Sequence, residues 1–232
     1  MRMDMETQEV SETMWTSTTT SYNRVDETLQ FIHGFTFDSE LSMKMHVIKI
    51  CQTAYFELKC ISSVCRFLTE DATKTLVTSY ILSWLYYCNC LLMGTPNSVI
   101  QPLQKIHFAA RLVLLAPRHQ HSTPLLEKLH WLPISELIKY KVTCVCFSAV
   151  NGSGPAYLSE LLHVYTLSHT LHSFSDTRML KIQQYTCKTH GFCTFSCFGP
   201  LIWNSVPQDC STLSSFKAKQ KTLLFSQNFH PN

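Results

Sequence analysis

The sequence predicts a mainly α-helical protein, with two helical segments joined by irregular connections that carry short β structure. Three observations support this. Apolar residues recur at steps of three and four from residue 47 to residue 113. Helix-starting residues and Gly or Pro stops punctuate those stretches. Strand-like alternation is confined to a weak run around Met179 to Tyr185. A length of 232 residues with 45% apolar and 15% charged residues is enough for a sizeable core.

Residues 1–31 are rich in Thr, Ser, Glu and Met, lack apolar periodicity, and read as a disordered acidic leader. Residues 32–96 form the first helical segment. Asp38 and Ser42 are helix-starting residues, and Val47, Cys51, Ala54, Leu58 and Ile61 make one stripe behind them. Thr69-Glu70-Asp71 starts a second helix, with acids where the helix dipole favours them. Val77, Ile81, Trp84, Leu85, Cys88 and Leu92 continue that helix to the stop at Gly94-Thr95-Pro96.

Residues 97–163 form a second, basic helical segment. Ser98 is placed to cap a helix with the stripe Leu103, Ile106, Ala110 and Val113, ended by Pro117. Thr123-Pro124 starts a short helix with proline in the first turn, where its missing N–H costs nothing. Ser135 is placed to cap Glu136 to Val150, which Asn151-Gly152 closes, and Gly154-Pro155 opens one more short helix. Residues 164–232 read as an irregular aromatic region followed by a terminal helix, Leu213 to Phe225, bearing Lys217, Lys219 and Lys221.

Charge is distributed unevenly. Residues 1–31 carry six acids against two bases, a net −4, leaving +7 on the remainder of a chain whose total is +3. Between Ser98 and Val150 there are six bases (Lys105, Arg111, Arg118, Lys128, Lys139, Lys141) and two acids. Such an excess suits either a solvated helix surface or phosphate contact. No apolar run reaches the roughly 18 residues of a membrane span, the nearest being Tyr80 to Met93, interrupted by Ser83 and Asn89, and the polar start has no signal-peptide pattern. The expectation is an intracellular chain, in the nucleus or the cytoplasm, whose eleven cysteines are reduced thiols.

The second half is punctuated by tryptophan and proline: Leu129-His130-Trp131-Leu132-Pro133, then Gly154-Pro155-Ala156-Tyr157-Leu158, then Trp203-Asn204-Ser205-Val206-Pro207 and Ser215-Phe216-Lys217. Upstream stand Phe35 to Ser42, Leu68-Thr69-Glu70-Asp71-Ala72, Tyr87-Cys88-Asn89-Cys90-Leu91-Leu92 and Ala109-Ala110-Arg111-Leu112-Val113. In this order the strings resemble the C-terminal part, thumb and downstream region, of LINE-type (non-LTR, jockey-like) retrotransposon reverse transcriptases.

The resemblance implies a helical thumb-like bundle over residues 32–96, and a fragment of an RNA-directed DNA polymerase. It also implies that the chain is no enzyme. The two-metal chemistry of phosphoryl transfer needs paired carboxylates on a strand turn, and the family carries them upstream of the string resembled by Phe35 to Ser42, where this sequence has only the polar leader. Asp38, Glu70 and Asp71 read as helix-start residues. The implied function is at most residual nucleic-acid backbone binding, to RNA or DNA, through Lys105, Arg111, Arg118, Lys139 and Lys141. The alternative is a helical protein-interaction module or an inert transposon-derived protein. It would self-associate through an apolar thumb face around Val47, Ala54 and Leu58, exposed because the polymerase palm is missing.

The departures from the family pattern share a direction. Cys60, Cys65, Trp84, His169, His172 and Cys193 stand where the family has arginine, and Leu167 where it has proline. Cytosine deamination at CG steps produces these changes, so the resemblance implies a decayed copy.

Cys187, His190, Cys193 and Cys197 have ligand chemistry for zinc. Four ligands within eleven residues lack the two separated knuckles of ordinary structural sites, and buried thiols are the competing reading. No cofactor is expected. His119 and His121 read as an exposed turn, Trp131 and Trp203 as core, and Cys144 and Cys146 as thiols on opposite sides of one helix.

Overall fold

The computed structural model describes residues 30–32, 35–37, 42–87, 89–117, 119–165, 179–183, 194–207 and 210–230. The chain divides into two compact units, Met1–Ser42 and Met43–Asn232. In the first unit β1 (Gln30–Ile32) pairs antiparallel with β2 (Phe35–Phe37), with Gln30 opposite Phe37 and Ile32 opposite Phe35. Residues 1–29 of the predicted leader, and Asp38, lie outside the described residues, while its last two residues, Gln30 and Phe31, belong to β1 rather than to an irregular leader.

The second unit is mainly helical. It opens with α1 (Lys44–Val64), on which Val47, Cys51, Ala54 and Ile61 are buried and Leu58 is half-buried. The N-cap is Met43 in the left-handed region at φ 61°, so the helix starts just past Ser42 without a side-chain cap. Thr69 caps α2 (Glu70–Val77) as expected, its Oγ1 accepting the Ala72 N–H at 3.2 Å.

The predicted run to Gly94 needs correction. A π turn, Thr78–Leu82, separates α2 from α3 (Ser83–Tyr86), the chain extends at Tyr87, and a 3₁₀ turn follows over Asn89–Leu92. The hydroxyls of Thr73, Thr75, Thr78 and Ser83 each donate to the carbonyl four residues back, a pattern that loosens and bends helices. The wider turn keeps Val77, Ile81 and Leu85 buried in line at steps of four. Trp84 leaves that line and stands 44% exposed.

Next come α4 (Asn97–Lys105) and α5 (Phe108–Val113), bent apart at Ile106-His107. Their stripe of Leu103, Ile106, Ala110 and Val113 is buried as expected. Pro96 rather than Ser98 sits at the N-cap, and the helix ends at Val113, before Pro117. In α6 (Ser122–Leu129) Pro124 occupies the first turn, and His130 in the left-handed region ends the helix.

Pro133, not Ser135, sits at the N-cap of α7 (Ile134–Val150). The Ile134 N–H, one of the donors a helix start leaves orphaned, donates instead to Gln104 Oε1 of α4 at 3.3 Å. After α8 (Ala156–Glu160) an isolated antiparallel bridge joins Val164 to Leu180. Most of the intervening segment lies outside the described residues.

The aromatic region after residue 193 contains a helix that composition does not reveal, α9 (Phe195–Trp203). Gly199 and Pro200 look like a stop in sequence but lie inside it. A Cβ on Gly199 would come within 3.1 Å of Cys146 Sγ, so glycine lets α9 lie close against α7. The last helix, α10 (Leu213–Phe229), is capped by Thr212, whose Oγ1 accepts the Ser215 N–H.

Two cores organise this unit, and α7 contributes to both. The first gathers α1 to α6 with Ile134 and Ile138 of α7. The second joins Val142, Cys146 and Phe147 to Leu162, Leu180, Trp203 and Phe216. Phe147 stacks on Phe216 at 4.6 Å, and Trp203, 1% exposed, packs against both rings. Burial of each such aromatic removes enough apolar surface to stabilise by about 2–3 kcal/mol. The apolar face expected to be open around Val47, Ala54 and Leu58 is largely covered: α4 packs on α1, Val47 and Ala54 are buried and Leu58 is half-buried. No helix among the described residues is long and apolar enough to cross a membrane.

Candidate nucleic-acid interface

The predicted cations do not form one patch. Lys105 is exposed at the end of α4, close enough to Cys51 of α1 to act on its thiol electrostatically. Arg111 is half-buried and structural. Its Nε donates to the Gln120 carbonyl at 2.9 Å, and its guanidinium lies 4.7 Å from the centre of the Phe108 ring. Lys139 pairs with Glu136 one turn earlier, at 2.9 Å. Arg118 lies outside the described residues.

Lys141 is placed differently. It lies nearly opposite Lys139 around α7 and lines a groove of about 510 Å³. The α7 wall is Tyr140, Lys141, Cys144, Val145 and Ser148, and the facing wall is Leu213 and Lys217 of α10, with Ser153 to Leu158 closing one end. The antiparallel course of α10 against α7 brings the two lysines together. Leu213 and Lys217 lie by the C-terminal half of α7, while Phe225 reaches His130, 5.4 Å away, just before α7 begins. Lys221 is exposed one turn beyond Lys217 on the same helix face.

The closing turn is held firmly. The N–H groups of Ser153 and Gly154 and the Ser153 hydroxyl all donate to the Ser148 carbonyl. Gly152 takes φ 65°, a left-handed conformation that glycine adopts freely, after Asn151 as expected. A Cβ on Gly154 would lie 3.3 Å from the α7 backbone, so the turn can press against the helix end.

Electrostatically the groove is cationic. Among the described residues no carboxylate lines it, and neither Lys141 nor Lys217 has an ion-pair partner. Burial, with added effects from the neighbouring Cys144, pushes the Tyr140 hydroxyl up to about 12. Burial also raises the Cys144 thiol, against the pull of Tyr140, Lys217 and Lys141. Both groups are therefore neutral at pH 7. The sequence places Lys217 only on the terminal helix. Its recurrence as Lys217 and Lys221 on one face was the available signal, but its meeting with Lys141 depends on tertiary packing.

The other candidates resolve as follows. Cys187, His190 and Cys193 lie outside the described residues, and Cys197 is buried on α9 with its thiol donating to the Gln183 carbonyl. No group of three or more metal-ligating side chains occurs among the described residues. Glu70 and Asp71 are exposed in the first turn of α2. His119 and His121 are exposed, and Trp131 and Trp203 are buried. Cys144 faces the groove while Cys146 meets Gly199, so the two thiols do point to different sides of α7.

No family model, no curated protein and no solved structure matches this chain.

Proposed function

We propose that this chain is a non-catalytic remnant of a LINE-type reverse transcriptase, its thumb and downstream region, and that it binds nucleic-acid backbone without polymerising. The observation that carries the binding is the convergence of Lys141 and Lys217 on one groove, with no carboxylate in its lining among the described residues. Two ammonium groups on facing helices, without an ion-pair partner among the described residues, suit a polyanion, whose counterions they displace.

Three further features support the reading. The strings shared with the family hold structural positions, with Trp131 and Trp203 buried in separate cores. Of the described positions read as former arginines, Cys60 is exposed and Trp84 is 44% exposed, so an arginine there would stand in solvent, whereas Cys65 is buried and does not fit that pattern. The acids Glu70 and Asp71 lie side by side at a helix start and are not poised to hold two metal ions. Such a protein acts inside the cell, where its thiols remain reduced.

A filter-binding titration with RNA and DNA at low salt tests this. Micromolar or weaker affinity that falls steeply with salt is expected for a sequence-independent backbone contact. Absence of binding at about 50 mM salt overturns the reading, and so does nucleotide incorporation by the purified protein.

A second reading, a helical interaction module, draws on Phe67 before α2, Tyr80 in the π turn and Trp84 of α3, large apolar side chains left exposed. The same titration separates the two, because Trp84→Arg leaves nucleic-acid affinity equal or higher if backbone binding is the function.

A further inference from the structure

The groove is more than a pair of lysines. Besides the lysines it is lined by Tyr140, Val145, Pro155, Leu158 and Leu213, apolar and aromatic groups that make up much of its walls and floor. Its volume, about 510 Å³, falls in the range that takes small organic ligands, roughly 300–1,000 Å³. A phosphate contact alone has no use for such a floor. A double helix presents its phosphates and hides its base faces in the stack, so it would cover the lysines and leave the floor to water. A single strand presents both, with phosphates for the ammonium groups and unstacked bases for an aromatic or apolar wall.

We propose that the groove between α7 and α10 binds a single-stranded nucleic acid, RNA or DNA, with phosphates on Lys141 and Lys217 and a base against Tyr140 and Leu213. This deepens the backbone-binding reading and rests on it. Four observations point the same way. Tyr140 stands next to Lys141 in sequence and both side chains line the groove, so a base and its phosphate can be held from one turn of helix. Lys221, one turn further along α10, extends the cationic edge for a following phosphate. The Ser148–Gly154 turn closes one end, so a strand would enter from the end nearer Lys221. The neutral Tyr140 hydroxyl and Cys144 thiol add no charge to oppose it.

The test is fluorescence anisotropy on the full chain at fixed low salt. The probes are a labelled twelve-nucleotide oligo-U, the matching oligo-dT, and a blunt duplex of equal length. The expected result is single strands bound about tenfold tighter than duplex, with oligo-U and oligo-dT alike, because stacking is tolerant of base and sugar. Tyr140→Leu keeps the site apolar and is expected to weaken single strands roughly tenfold while leaving duplex affinity unchanged.

Circular dichroism melting checks that this variant folds. If it does not, Leu213→Ala at the start of α10, which removes the apolar wall and leaves both lysines, takes its place and should weaken single strands more than duplex. Duplex bound as tightly as single strand overturns this inference and leaves backbone binding standing. No binding of any oligonucleotide overturns the reading beneath it. Uridine monophosphate bound as tightly as the twelve-mer, or poly-glutamate displacing the oligonucleotides at equal charge, also overturns the inference, because neither is a strand with bases to stack.

Discussion

Asn204 holds both backbone polar groups of Leu180: its Oδ1 accepts the Leu180 N–H and its Nδ2 donates to the Leu180 carbonyl, each at 2.9 Å. A side-chain amide here does the work of a strand neighbour. It fastens the 179–183 segment to the end of α9, next to Trp203 in the second core. This gives the asparagine of the Trp203-to-Pro207 string a physical role.

Asn204→Asp is therefore expected to destabilise by about 1–3 kcal/mol. The carboxylate keeps the acceptor, loses the donor and faces a carbonyl with like partial charge. Asn204→Ala loses both bonds and is expected to fall in the same range. Urea unfolding followed by tryptophan fluorescence measures both, and a change within about 0.5 kcal/mol contradicts the role given to this side chain.

Gly199 is the second weak point. The space for its side chain is already filled by Cys146 Sγ at 3.1 Å, with Phe195 and Leu162 just beyond. Gly199→Ala asks these neighbours to give by a few tenths of an ångström, and Gly199→Val asks for more. Overpacking of this kind costs about 1–3 kcal/mol. Gly199→Val is expected to lower the melting temperature more than Gly199→Ala, and the reverse order would mean that α9 does not lie against α7 as described.

The elements that were legible and those that were not separate on physical grounds. The stripes of α1, α4 and α5 could be read because burial on one helix face forces steps of three and four. Helix starts could not. Ser98 and Ser135 have the chemistry of caps, yet Pro96 and Pro133 occupy those places, their extended backbone turning the chain into the helix. The orphan donor at Ile134 is met by Gln104 from another helix, which no local pattern announces.

The break after α2 was hidden because Val77, Ile81 and Leu85 fit an ordinary helix as well as a π turn. In α9, Gly199 and Pro200 have the composition of a turn, and only the approach to Cys146 explains the glycine. For the site, Lys141 was legible as one of several basic residues. What distinguishes it from Lys139 is which side of α7 each occupies and whether an acid stands within reach. Lys139 has Glu136, and Lys141 faces α10.

Two histidines make stability depend on pH. His46 and His107 are both buried and both held down to about 4. At His46 burial is the main cause and Lys49 adds to it. At His107 burial outweighs the opposing pull of the Leu132 and Gln104 carbonyls. In the unfolded chain both titrate near 6.5. As pH falls below about 6.5 the unfolded state takes up protons first, so stability declines between about 6.5 and 4 and levels off below that.

Above pH 6.5 these two groups contribute no pH dependence. The full loss is on the order of 3 kcal/mol at His107 and smaller at His46, whose charge is better screened by solvent. Urea midpoints at pH 7, 5.5 and 4.5 check this, and His107→Leu is expected to flatten the decline more than His46→Leu. An unchanged decline in both variants would place the acid sensitivity elsewhere.

The most direct test of the account is the salt dependence of binding to a short single-stranded oligonucleotide, with the wild-type chain beside Lys141→Gln/Lys217→Gln. Each phosphate contact contributes about 0.7 to the slope of log affinity against log salt for single strands. The account predicts weaker binding and a slope shallower by about 1.4 in the double variant, with an unchanged melting curve. Equal affinity and equal slope in the two proteins would contradict it, because the nucleic acid would then be held somewhere other than the groove between α7 and α10.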